Sequence, residues 1–168
     1  AMFLKKSEKF PKQEVDSLMQ LATELTETCY QMYAQMETGL SPEICHFNYH
    51  DGSTKDLYVK EADRHNLLRP ETIESLYYMY KITGDKKYQD YGWKIFESFE
   101  KYTKIESGGY SSINDVTNTK NVRYRDKMES FFLAETLKYL YLLFEDQSNE
   151  NIDLNKWIFN TEAHLLPL

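Results

Sequence analysis

The chain has 168 residues, enough for one domain with a real core, and its 14 Tyr and 9 Phe require heavy aromatic burial. A net charge of −7, spread along the chain, excludes a nucleic-acid binder, which needs a basic face for the phosphates. No uncharged apolar run approaches the roughly 20 residues of a membrane span.

From Glu14 to about Met36 the pattern predicts a long amphipathic helix. Leu18, Leu21, Leu25, Cys29, Met32 and Met36 recur at spacings of three and four as its inward stripe, and Gly39 is its terminator. Residues 45–60 hold the polar turn Asp51-Gly52-Ser53 between two short apolar and aromatic runs, which predicts a small β-hairpin. A second helix is expected from Pro70 to about Thr83, broken by Gly84-Asp85, and a third from about Lys86 to Tyr102 with Tyr88, Tyr91, Gly92, Ile95, Phe96 and Phe99 inward. The short break predicts an antiparallel helical hairpin. Ser107-Gly108-Gly109-Tyr110-Ser111-Ser112 reads as a loop or a short strand turn. The fourth helix, about Lys127 to Phe144, is apolar on nearly every side and is expected to be buried. Trp157 to Glu162 reads as a short strand, then a loop. Cys29 and Cys45 are too few for a disulfide framework, and either a pair or two buried thiols satisfies the sequence.

The segment Arg69-Pro70-Glu71-Thr72-Ile73-Glu74 carries the most chemistry. Proline suits the first helical position, because its missing N–H had no acceptor to lose. Glu71 and Glu74, three apart, then share a face near the positive end of the helix dipole. A carboxylate kept ionised beside an arginine suits a general base or an oxygen-rich cation site, although first-turn acids are also common simply as helix stabilisers. Elsewhere the residue types have plain readings. Thr161 is a loop hydroxyl bonding local backbone. Phe131 is a core aromatic, and Arg69 is a partner for a neighbouring acid. Glu135, inside an apolar helix, is costly unless engaged, and fits a functional carboxylate or a buried ion pair equally well. His65 and His164 read as hydrogen-bonded structural groups, since no zinc-type spacing joins them.

Several separated motifs together resemble one family. Gly39-Leu40-Ser41-Pro42-Glu43, Asp63-Arg64-His65-Asn66-Leu67-Leu68-Arg69-Pro70-Glu71-Thr72, Met128-Glu129-Ser130-Phe131-Phe132-Leu133, Glu135-Thr136-Leu137-Lys138-Tyr139 and Phe159-Asn160-Thr161-Glu162-Ala163-His164 look like the class I α-1,2-mannosidases, glycoside hydrolase family 47. The likeness runs from about Leu18 to the last residue. The segments 107–112 and 126–131 look more like the endoplasmic-reticulum members than the Golgi ones.

The resemblance implies an (α/α)7 barrel, mainly α with short β-hairpins, that binds Ca2+ in its base and trims mannose from high-mannose N-glycans with inversion. It makes Glu71 the general base and Thr161 the calcium ligand. Glu43, Glu74, Glu135 and Glu162 become the acids around the metal's waters and the sugar, and Arg69 and Phe131 line the terminal-mannose site. It also implies the lumen of the endoplasmic reticulum or Golgi, with the full-length protein a type II membrane protein. Four helices are too few for such a barrel, so residues 1–168 are expected to be the C-terminal part of a single catalytic domain. The general acid and the partner of Cys29 would lie upstream, and the missing half would be a partner. The family's Thr-Glu-Ala-His-Pro reads Thr161-Glu162-Ala163-His164-Leu165 here, which loosens that loop without removing the ligand. Two other readings stand beside the enzyme: a non-catalytic high-mannose-binding fragment or degradation-enhancing mannosidase-like protein, and a helical interaction domain without sugar chemistry.

Overall fold

A computed structural model describes residues 10–49, 52, 55–145 and 152–168. Helix α1 (Lys12–Ala34) forms where expected, but the face it buries is turned about a quarter of the way round from the expected stripe, of which Met36 alone packs on the core cluster. Val15, Thr26, Tyr30 and Tyr33 face the core, with Met19 and Ala22 packed against it. Leu18, Leu21 and Leu25 are 36%, 49% and 57% exposed. Both faces of α1 are apolar, and the aromatic one wins. Tyr30 stacks flat on Tyr91, with ring centres 3.5 Å apart, and the Tyr91 hydroxyl donates to Glu27 at 2.9 Å. A stacked aromatic pair contributes about 0.5–1.5 kcal/mol beyond its area, added to the burial of two large rings.

Strands β1 (His46–Phe47) and β2 (Leu57–Tyr58) pair antiparallel, His46 opposite Tyr58, as the hairpin reading requires. Two residues of the expected turn, Asp51 and Ser53, lie outside the described residues. A 3-10 turn (Glu61–Asp63) comes next, tied to the hairpin by His46 Nε2 and Asp63 Oδ2 at 3.1 Å.

Helix α2 (Glu71–Thr83) starts with Pro70 at its cap rather than inside its first turn. Gly84, at φ +72, ends it and donates to Tyr80 O. Helix α3 (Lys87–Tyr102) is separated from α2 by three residues and packs against it. A Cβ on Gly92 would sit 2.4 Å from Leu143 Cδ2, so this glycine sets the approach of α3 to helix α4 (Leu137–Phe144). The stretch expected as one helix from Lys127 is not regular. Residues 127–129 are not helical, and Phe132–Thr136 form a π turn closed by Leu137 N–H to Phe132 O before α4 begins. Nor is the helix buried all round, because Leu133, Tyr141 and Phe144 are exposed. The inserted π turn rotates everything after it relative to a regular 3.6-residue pattern.

After α4 comes a second antiparallel hairpin, β3 (Trp157–Phe159) with β4 (Leu165–Pro167). The expectation of one short strand followed by loop missed β4, whose three residues are all exposed and show no alternation. Trp157 and Ile158 line a groove with Met79 and Ile82, whereas Phe159 packs edge-on against Tyr77, Tyr78 and Tyr139. The hairpin therefore runs beside α2, from its far end toward its start. The fold is mainly helical. Among the described residues, no helix is long and apolar enough to cross a membrane.

Both long connections, residues 35–70 and 103–131, lie at the end of the molecule where α2 begins. They are stitched together: Thr38 N–H and Oγ1 donate to Val116 O, Val116 N–H donates to Arg64 O, and Asn66 pairs in both directions with Ile113. These bonds make the two connections one platform under the start of α2.

Candidate active site

The platform presents Arg69 and Glu71 through a strained residue. Leu68 is fully buried at φ +64, a left-handed conformation that costs a non-glycine residue on the order of 1–3 kcal/mol. Its amide donates to Asn66 Oδ1 at 2.9 Å, and its carbonyl accepts from Thr136 Oγ1 at 2.7 Å. Asn66 is itself fixed, donating through Nδ2 to Ser41 O at 2.8 Å. Buried, hydrogen-bonded side chains therefore hold the backbone immediately before Arg69 and Glu71.

Arg69 is oriented from two sides. Its Nε donates to Glu43 Oε2 at 2.6 Å, and the other Glu43 oxygen accepts from Leu67 N–H at 3.0 Å. Its guanidinium carbon lies 5.6 Å from the centre of the Phe131 ring. The arginine head is half exposed, so the ion pair acts through orientation more than energy. Glu43, Arg69, Glu71, Thr72 and Tyr33 share a cleft of about 140 Å3. Burial pushes the Tyr33 hydroxyl well above its usual range, and the charges of Glu71 and Glu43 push the same way. Thr72 opposes by hydrogen bonding to it.

Glu74 and Glu135 form the middle of the site. Burial holds the Glu74 carboxyl above the usual range, and the charges of Glu135 and Glu71 add to the shift. The Tyr139 hydroxyl opposes it; this group is buried toward Glu74 without a partner at hydrogen-bonding geometry. Burial also raises Glu135, reinforced by Glu71 and Glu162 and opposed by His164 and Lys138. The charge of Glu71 thus acts on both Glu74 of α2 and Glu135 of the π turn, and that of Glu162, in the β3–β4 turn and 91 positions beyond Glu71, acts on Glu135. Glu43 is not in this group; it stands behind Arg69 as its clamp.

Thr161 sits exposed in the turn that carries Glu162. Asn160 Oδ1 accepts from the amides of Glu162 and His164, both at 2.9 Å, and Lys138 Nζ donates to Ala163 O at 2.6 Å. Ala163, buried at φ +57, is a second left-handed non-glycine residue. Among the described residues, no three His, Cys, Asp or Glu side chains are placed to grip a metal directly. The turn carries the oxygens of Thr161 and Glu162, and the charges of Glu71 and Glu162 raise Glu135 more than His164 and Lys138 lower it. That chemistry fits a hard divalent cation held by few protein oxygens and many waters.

Residue types alone do not single out Tyr33, Asn66, Lys138 or Tyr139. Tyr33 lies on the face of α1 beside the leucine stripe, and Asn66 is hidden inside a motif whose chemistry lies in its arginine and glutamate. Cys29 and Cys45 are both free, half-buried thiols, and burial raises them. Of the two histidines read as structural, His164 is exposed 3.9 Å from Glu162 and His65 borders a polar cleft on the loop face.

A family profile, Glycosyl hydrolase family 47, matches residues 1–168. The endoplasmic reticulum mannosyl-oligosaccharide 1,2-alpha-mannosidase of Homo sapiens is 63% identical over 153 residues, covering 90% of this chain and 22% of that protein. The mannosyl-oligosaccharide 1,2-alpha-mannosidase MNS3 of Arabidopsis thaliana is 56% identical over 163 residues, 89% of this chain and 26% of that one. Among solved structures, the alpha-1,2-mannosidase from Trichoderma reesei superposes with a TM-score of 0.73 at 37% identity, covering 85% of this chain and 32% of its own. The chain thus spans about a quarter of the length of the curated relatives it matches.

Proposed function

The chain belongs to glycosyl hydrolase family 47, and on that basis we propose that it supplies the base-and-calcium side of an inverting α-1,2-mannosidase acting on high-mannose N-glycans in the endoplasmic reticulum. The observation that carries this reading is the convergence of Glu71, Glu74, Glu135 and Glu162 beside an arginine clamped by Glu43. A helical scaffold has no reason to pool carboxylates from three separate elements so that the charges of Glu71 and Glu162 raise Glu135 and those of Glu71 and Glu135 raise Glu74.

Glu71 is the general base. It sits at the start of α2, exposed to water. An inverting glycosidase needs such a carboxylate to take a proton from the attacking water, with a carboxylic acid about 6.5–9.5 Å away on the leaving oxygen. Arg69 donates to sugar hydroxyls, and Phe131 offers an apolar face to the ring's C–H side. Glu74 and Glu135 hold waters and sugar hydroxyls at the centre. Thr161 would hold calcium through its oxygens, with Glu162 and the other acids meeting it through waters. The ion would supply positive charge that relieves the carboxylates and fixes sugar hydroxyls.

Residues 1–168 form one part of a single (α/α)7 catalytic domain in this reading. The exposed Leu18, Leu21 and Leu25, with the groove of about 550 Å3 between α1, α2 and β3, are where the remainder of that domain packs. The test is mannose release from a high-mannose oligosaccharide by the intact enzyme containing this chain, with calcium and with chelator. Calcium-dependent release of mannose in inverted configuration is expected. Binding of the glycan without release would make the chain part of a lectin-like protein instead.

A further inference from the structure

One short segment serves both of the left-handed residues that bound the site, Leu68 and Ala163. Thr136 Oγ1 donates to the Leu68 carbonyl at 2.7 Å, and two residues further on Lys138 Nζ donates to the Ala163 carbonyl at 2.6 Å. Between them, at Leu137, the π turn gives way to α4. The same stretch of chain thus touches the edge that carries Arg69 and Glu71 and the edge that carries Thr161 and Glu162. Lys138 has no role in the chemistry above.

Water cannot take the place of this contact. Ala163 is fully buried, so its carbonyl oxygen is shielded from solvent and needs a donor from the chain. The peptide between Ala163 and His164 is gripped at both ends, its carbonyl by Lys138 and its N–H by Asn160 Oδ1 at 2.9 Å. Asn160 is part of the turn and moves with it. Lys138 belongs to α4, so its grip ties the turn to the helices. The ammonium is itself located by the Phe159 ring, whose centre is 5.7 Å away and which packs edge-on against Tyr77, Tyr78 and Tyr139. Without the lysine, the orphaned carbonyl is relieved by rotating that peptide toward water. This releases the left-handed conformation at Ala163, and with it the placement of Thr161 and Glu162 just before it.

Charge alone does not account for a lysine in this place. An ammonium repels a divalent cation near it, so a lysine beside a calcium turn weakens the site by its charge and strengthens it only by geometry. We propose that Lys138 is a positioning residue for the cation. By fixing the Ala163 carbonyl from α4, it presets the β3–β4 turn so that Thr161 and Glu162 meet the ion in register with the base edge, which Thr136 holds from the same segment. The inference rests on the calcium reading of that turn.

The test is calcium titration calorimetry on the intact enzyme containing this chain, stripped of metal, with mannose release followed alongside. Lys138→Met keeps the stem and removes the donor and its charge. Calcium affinity should fall about 10–100-fold, the range for losing a partner that orients a ligand. Lys138→Arg, which keeps a charged donor, should recover most of that loss. At saturating calcium the Lys138→Met kcat should return close to the wild-type value, because the bound ion then imposes the turn. A general folding defect would instead lower kcat at every calcium concentration. Should Lys138→Met fail to fold, Lys138→Gln carries the comparison with a neutral donor one bond shorter, and an intermediate affinity is expected. Unchanged or tighter calcium binding in the variant that folds, a kcat that stays low at saturation, or no recovery by arginine overturns the proposal. Wild-type enzyme that binds no calcium removes the calcium reading and this inference together, whereas a calcium-binding wild type indifferent to Lys138 removes this inference alone.

Discussion

The two edges of the site each carry a buried, left-handed residue that is not glycine, Leu68 beside Arg69 and Ala163 near Thr161. They are held very differently. Leu68 has both backbone polar groups bound by fully buried side chains, Asn66 and Thr136, and Asn66 is anchored again on Ser41. Ala163 has its amide on Asn160 O within the same turn and its carbonyl on one lysine. One edge is set before any ligand arrives. The other is set mainly by its own turn, and a bound cation has the most order to add there.

Removing a side chain from each edge puts this contrast under the heaviest strain. Glu71→Gln, on the preset edge, should lower turnover by about 10^2–10^4, while binding of an uncleaved substrate analogue falls far less; equal losses would make Glu71 structural. Next come the two asparagines. Asn66→Ala leaves Leu68 N–H and Ser41 O buried without partners and should cost about 2–4 kcal/mol in denaturant unfolding. Asn160→Ala exposes its two amides to water and should cost less than about 1 kcal/mol. Comparable costs would erase the distinction. Thr161→Val should weaken calcium binding at least as much as the roughly 10–100-fold typical of losing an outer-shell group, read by titration calorimetry. It should also remove the rise in Tm that calcium brings by mass action.

The smallest effect is in the pH dependence. Glu74 and Glu135 bind protons more tightly folded than unfolded, so their ionisation opposes folding. Without calcium, stability should rise as pH falls from neutral through their raised midpoints toward the ordinary carboxyl value of 4.5, and be lost again as pH climbs back. Glu135→Gln should flatten this slope, shifting Tm by on the order of 2 °C at neutral pH. A slope of opposite sign in calcium-free protein would mean that the acids are already neutralised by groups of the chain itself.

Much of this is readable from residues. The Pro-led start of α2, the stop at Gly84, the β1–β2 hairpin and the helix pair α2–α3 come from local rules that the packing does not override. Three failures share a cause: one-dimensional patterns do not say which neighbour an element meets. On α1 a leucine stripe and a tyrosine stripe are both plausible, and only the position of Tyr91, 61 residues beyond Tyr30, decides between them. Around Phe132 a single extra residue in the helical turn puts a 3.6-residue count out of phase, so an apolar helix with one wet face looks apolar throughout. Strand β4 has no period of its own and exists because β3 is beside it. For the site, Arg69 and Glu71 are visible as a local motif. Glu135 and Glu162 belong to separate elements, and the resemblance rather than any spacing brings them together. Tyr139 is invisible as a site residue because its hydroxyl differs from those of other core tyrosines only in facing Glu74.

The leucines left on the outer face of α1 bear on how this protein is handled at the bench. A helix with Leu18, Leu21 and Leu25 in water is a detergent-seeking surface, and mild non-ionic surfactant should keep the isolated chain monodisperse. Charged residues at those three positions would make it soluble without surfactant, and would also show how much of the rest of the fold stands on its own.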